Sequence, residues 1–191
     1  MAKANPKTSP IGQLSFPHLF VPRAPMNGGE ERFSTILIFN ENAQNTPEYK
    51  AMKKAAFDCA VAEWGDKAKD MIAKGQIRMP FRDATEKSDY AGFDDGKMFI
   101  SAWSKNKPDV VDGRLNPVVP SDVFPGCMGR ITYTVWAYDV SGNKGVSFGL
   151  NNVQISDFTT ERLDNKKKGA DDFDAMDDQT SDELEDDDVP F

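Results

Sequence analysis

Cysteine and histidine are nearly absent from this chain: Cys59 and Cys127 are its two thiols and His18 its one imidazole. Two cysteines without a CxxC pair make no disulfide framework. A zinc site of the usual nitrogen and sulfur ligands cannot be assembled from them and a lone His18. The expectation is no metal, no cofactor, and two inert thiols in a reducing compartment. No apolar run approaches the ~20 residues that a membrane helix needs. The opening "MAKANPKTSP" lacks the apolar core of a secretion signal. The expected location is therefore the cytoplasm. Catalytic signatures are missing as well: there is no GxxxxGKS/T phosphate loop, no GxSxG elbow and no HExxH pair. Asp94, Asp95, Asp109 and Asp112 are the acids that a Mg²⁺-dependent nuclease would use. Acids in glycine-containing loops are more often turn residues, and the chain reads as a non-enzyme.

Basic residues are absent from the whole C-terminal stretch. Asp171 to Phe191 carry 11 of the 31 acidic residues and no Lys or Arg. The rest of the chain then holds 23 basic against 20 acidic residues. The acidity belongs to the tail, and the body is mildly basic, which suits a polyanionic partner. At 191 residues and 39% hydrophobic content the body has room for one domain with a real core.

Strand and helix signals divide that body. "IGQLSFPHLFVP" reads as extended, with Leu14, Phe16, His18 and Phe20 on one face and a bulge or sheet edge expected at Pro17. "RFSTILIFN" is nearly continuous in apolar character and predicts a central strand. The period then changes. Thr46 stands as an N-cap, Pro47 at the first helical position, and Met52, Ala56, Cys59, Ala60 and Trp64 recur at helical spacing. Gly65 is expected to break this helix and Gly75 to end a second one, giving a helical insertion at about residues 47–75. Strand character returns in "KMFISAWSK". A Pro-rich loop follows, long enough to suggest function or disorder, and then a hairpin around "SGNKG". The fold class expected is mainly β: a five- to six-stranded antiparallel barrel of the OB type, partly open, with a helical insertion. The domain is placed at residues 1–163, and 164–191 form an acidic, disordered tail.

Alternation in the late strands separates two faces. Met98, Ile100 and Ala102 point one way, and Lys97, Phe99, Ser101, Trp103 and Lys105 the other. Ile131, Tyr133, Val135 and Ala137 likewise oppose Arg130, Thr132, Thr134, Trp136 and Tyr138. A face mixing cations with aromatics suits single-stranded nucleic acid, because rings stack on unpaired bases and cations neutralise phosphates. Phe99, Trp103, Trp136 and Tyr138 are the stacking candidates. Lys97, Lys105, Lys107, Arg114 and Arg130 are the backbone candidates. The competing account is that Trp103, Trp136 and Tyr138 pack beneath the Pro-rich loop or the helix as a second small core.

The last residues, "EDDDVPF", resemble the C-terminal tip of bacterial single-stranded-DNA-binding proteins. That resemblance implies a docking element: Asp186, Asp187 and Asp188 lead into Val189, Pro190 and Phe191, with the Phe ring in a partner's apolar pocket. Val189 stands where that family usually has Ile. The body resembles instead the single-stranded-DNA-binding proteins of tailed phages, on the phrases "KPDVVDG", "FPGCMGRITYTVWAYD" and "GNKGVSFGLNNVQ". This resemblance implies an OB-fold and sequence-independent binding of single-stranded DNA in the host cytoplasm. It also implies recruitment of replication proteins such as a DNA polymerase or a helicase/primase. Exposed barrel edges are compatible with a homodimer. A DNA-mimicking interaction module, which would have no affinity for DNA, and the metal-dependent nuclease are the alternatives.

Overall fold

A computed structural model describes residues 7–26 and 28–164. The strands are β1 (Gly12–Arg23), β2 (Arg32–Phe39), β3 (Ile77–Arg78), β4 (Arg82–Asp83), β5 (Met98–Ser104), β6 (Val110–Val111), β7 (Met128–Val140) and β8 (Asn143–Asp157). Between β2 and β3 lie α1 (Glu41–Gln44), α2 (Pro47–Trp64) and α3 (Ala68–Ala73). Acidic residues Asp186, Asp187 and Asp188 and the tip Val189, Pro190 and Phe191 lie outside the described residues.

Five strands close on themselves. β1 pairs antiparallel with β2 and β7, β2 with β5, and β7 with β8. The ring is completed by a short parallel pairing of β5 with β8, Ala102 to Phe148 and Trp103 to Gly149. This is an OB-type barrel, closed where a partly open one was expected. The strands β3, β4 and β6 are two-residue pieces added to its edges, which is why the strand count exceeds five or six.

The helical insertion forms as its sequence requires. Thr46 Oγ1 accepts a hydrogen bond from the Tyr49 N–H at 3.3 Å, Pro47 occupies the first turn, and Gly65 ends α2 at φ 65°. Tyr49, Met52, Ala56 and Ala60 are the buried face of α2. An edge-to-face series of rings, Phe39–Tyr49–Phe81–Phe148–Tyr133, ties that face to the barrel interior at centroid distances of 5.1 to 5.6 Å. Cys127 is buried and Cys59 partly so, and burial pushes both thiols up from their ordinary value. Neither is activated as a nucleophile.

Two bulges change which residues face inward. In β1 the register shifts between Ser15 and His18, and Phe16 takes a positive φ of 48°. Leu14 and Leu19 both reach the core while Phe16 is turned out, so the expected single face of Leu14, Phe16, His18 and Phe20 does not form. In β8 the shift opposite Thr132 and Tyr133 switches parity, from Val146, Phe148 and Leu150 to Val153 and Ile155. The hairpin itself is tight: Val140 pairs with Asn143 across Ser141 and Gly142, whose φ values of 51° and 84° suit a two-residue turn.

The Pro-rich loop is ordered by its own polar groups. Asp112 accepts from the Arg114 and Asn116 N–H groups at 2.8 and 2.9 Å, and β6 lies parallel to β8. Phe124 from this loop is buried in the core. The four acids considered for a metal do not assemble. Asp112 serves this turn, Asp94 pairs with Lys97, and Asp95 accepts from the Gly96 N–H. Among the described residues, no group of three metal-ligating side chains converges.

Candidate nucleic-acid interface

The seam where β5 meets β8 carries the most chemically suggestive surface. Register places Trp103 beside Gly149, Gly149 beside Thr134, and Trp136 beside Ser147. Trp103 and Trp136 meet edge to face at 5.4 Å, and Trp136 and Tyr138 lie 5.8 Å apart at a tilt. Trp136 is 37% exposed. Glycines in "GVSFG" make room for this layer. A Cβ at Gly145 would fall 2.3 Å from the Tyr138 hydroxyl, and one at Gly149 would fall 2.3 Å from Thr134 Oγ1. Tyr138 can lie across the β8 backbone because its partner there has no side chain.

Around the rings stand three arginines. Trp103, Trp136 and Tyr138 share an open groove of about 680 Å³ with Arg32, Arg78 and Arg82, and no acidic residue lines it among the described residues. The Arg32 guanidinium sits 4.6 Å from the Trp103 ring centroid. Arg82 is engaged by Glu86, whereas Arg32 and Arg78 have no ion-pair partner among the described residues. Partial burial pulls Arg32 below its ordinary value, but an arginine remains charged at any relevant pH. A half-desolvated, unpaired cation beside a stacking ring is suited to a phosphate, which would relieve its unmet charge.

Of the residues expected from the sequence, Trp103, Trp136 and Tyr138 come together and the others do not join them. Phe99 has the expected parity but is fully buried, which corrects its place among the stacking rings. Residues 84–97 fold over this end of β5, and Phe99 packs with Ile38, Ala84 and Phe93 as a small second core. The second core of Trp103, Trp136 and Tyr138 beneath the Pro-rich loop or the helix does not form, since all three line the open groove. Lys97 lies at the same covered end, paired with Asp94 at 2.5 Å and donating to the Gly92 carbonyl. Lys105 pairs with Glu30, and Lys107 approaches the Phe20 ring at 6.0 Å. Arg114 sits in the Asp112 turn. Arg130 donates to Gln154 at 2.9 Å, and six residues of strand separate it from Trp136 by about 20 Å. None of these five cations lines the groove.

Arg32, Arg78 and Arg82 were not legible as site residues. Arg32 opens β2, where alternation from Ser34 places it on the outer face. Arg78 and Arg82 come from "IRMPFRD", whose two-residue strands show no period from which a facing could be read.

Comparison with known proteins identifies the family and supports the fold. The family described as Enterobacter phage Enc34, ssDNA-binding protein, matches residues 8–185. A "putative protein p50" of Acyrthosiphon pisum secondary endosymbiont phage 1 is 30% identical over 148 residues, 75% of this chain and 78% of that protein. Among solved structures, the single-stranded DNA-binding protein of bacteriophage Enc34 in complex with ssDNA is similar in fold. Its TM-score is 0.63 at 17% identity, over 81% of this chain and 85% of that one. The structure of gp2.5, a single-stranded DNA-binding protein encoded by bacteriophage T7, gives a TM-score of 0.56 at 16% identity. That match covers 88% of this chain and 99% of the T7 chain. An OB-type barrel with an aromatic and arginine-lined seam is thus joined to a match across nearly the whole sequence, and the chain belongs to the Enc34-type family of phage single-stranded DNA-binding proteins.

Proposed function

We propose that this protein binds single-stranded DNA without sequence preference, protecting it during phage DNA replication and recombination. The main support is the groove at the barrel seam, where Trp103, Trp136 and Tyr138 lie among Arg32, Arg78 and Arg82. Rings of this kind stack on any base, and arginines follow any backbone, so the surface offers affinity without base readout. Residues 1–163 are the binding domain. Residues 164–191 are a tail that competes for the groove when DNA is absent, as a polyanion tethered to a basic body does. Its tip, Asp186 to Phe191, docks on replication proteins such as a polymerase or helicase/primase.

A titration with oligo-dT, followed by tryptophan fluorescence at several salt concentrations, tests the body. Quenching, a steep loss of affinity with salt, and tighter binding after removal of residues 171–191 are expected. Absence of binding by the truncated body would favour the DNA-mimic reading instead. Deletion of Phe191 alone tests the tip. Oligo-dT affinity should stay within about twofold, well under the tenfold that 1.4 kcal/mol represents. Binding to purified polymerase or helicase/primase of the same phage should be lost. Retained binding to these proteins would remove the tip from the interaction.

A further inference from the structure

We infer that a bound strand does not end at Trp103 but continues onto a second stacking station built by Phe16 and Tyr90. The inference rests on the seam groove being the single-stranded DNA site. A second depression of about 280 Å³ adjoins that groove and shares Arg32, Ser101 and Trp103 with it. The two are therefore one track with Trp103 in the middle. Cross-strand register sets the direction, since His18 pairs with Ser34 and Ser34 with Trp103. Three adjacent strands at ~4.8 Å spacing place the two ends of that row about 10 Å apart, within reach of a strand of few nucleotides.

Phe16 is held outside the barrel core. Its φ of 48° is a conformation that a bulky residue adopts rarely, and the β1 bulge turns its ring out while Leu14 and Leu19 go in. The ring remains 38% exposed, and Tyr90, edge-on to it at 5.2 Å, is 44% exposed. Phe93, from the segment carrying Tyr90, seals the small core over Phe99, and Tyr90 lies outside that core, meeting Phe93 edge-on at 6.4 Å. Charge points the same way. Arg23, Arg32 and Lys87 line this depression, with no acidic residue among the described ones, and Lys87 Nζ sits 5.5 Å from the Tyr90 ring centroid. Exposed rings beside unopposed cations suit a nucleotide chain better than an apolar peptide.

The test uses the full chain and oligo-dT from about 4 to about 16 nucleotides, the span of OB-fold site sizes. Phe16→Gly keeps the positive φ without the ring, and Tyr90→Leu keeps an apolar contact for Phe93. The double variant should bind the longest oligonucleotide about tenfold more weakly or worse. It should bind the shortest one that still quenches wild-type fluorescence as the wild type does. Lys87→Gln, a surface change, should lower the salt slope on the long oligonucleotide by about 0.7 and leave the short one unchanged. Equal losses at every length, or none at any length, would overturn the second station while leaving the seam site standing. Failure of the wild type to bind any length would bring down the seam reading and this inference with it.

Discussion

Trp103→Ala is expected to weaken oligo-dT binding about 10- to 100-fold, from loss of a stacking contact worth ~1–3 kcal/mol. Trp103 is the residue through which the groove is organised. Its ring meets Trp136 edge to face, carries the Arg32 guanidinium, and borders both depressions. Truncation removes a platform and also frees Arg32 from the position it holds over the ring. The fold should survive, because Trp103 is only partly buried and faces outward from a barrel whose core lies on the other side of β5. The salt dependence distinguishes the two contributions. With Trp103→Ala the slope should be nearly unchanged, since no phosphate partner is lost. With Arg32→Gln it should fall by about 0.7, the value for one neutralised phosphate on a single strand. Wild-type affinity in the Trp103→Ala variant would mean that DNA is bound elsewhere on the molecule.

Phe148→Ala is expected to cost about 3–5 kcal/mol of stability, the usual range for an aromatic removed from a close-packed core. Phe148 is wholly buried and its ring touches both Phe81 and Tyr133. Through Phe81 and Tyr49 it belongs to the series of rings that fastens α2 to the barrel. A domain's stability is only about 5–15 kcal/mol, so this one change removes a large share. Urea denaturation should show a lower midpoint with an unaltered slope. A loss below about 1 kcal/mol, a small fraction of the expected range, would mean that the ring series does not carry the packing assigned to it. Phe148 also pairs with Ala102 at the parallel closure, one residue from the Trp103–Gly149 contact. A loosened core there should broaden the site as well as destabilise the fold.

Local rules explain why much of the architecture was readable in advance. The N-cap at Thr46, the proline after it, and the glycine stops at 65 and 75 act within one or two turns of chain, and α2 and α3 begin and end accordingly. Two-residue periodicity in β5 and β7 correctly put Trp103, Trp136 and Tyr138 on outer faces. The Asp112 turn is equally local, and an acid in a glycine-containing loop reads as a turn residue, but its partners Arg114 and Asn116 do not show in the sequence. A loop rich in proline reads as irregular until its hydrogen-bond partners are known.

Periodicity fails wherever the chain breaks its own count or covers its own face. The β1 bulge, which turns Phe16 outward, is invisible to an alternation that assumes no inserted residue. Phe99 has the same parity as Trp103, and no property of "KMFISAWSK" says that residues 84–97 will fold over one and not the other. Charge is similar. Composition located a basic body and an acidic C-terminal stretch, because net charge is a sum over residues and needs no coordinates. Which cations face the rings is a question of distance. Lys97 and Lys105 are committed to Asp94 and Glu30, while Arg32 meets Arg78 and Arg82, some 50 residues further along the chain, at the seam. Element type, turn chemistry and the division of charge follow from interactions between near neighbours, and so they were written in the residues themselves. Barrel closure, the burial of Phe99 and the arginines around Trp103 depend on contacts between distant segments, and only folding brings those together.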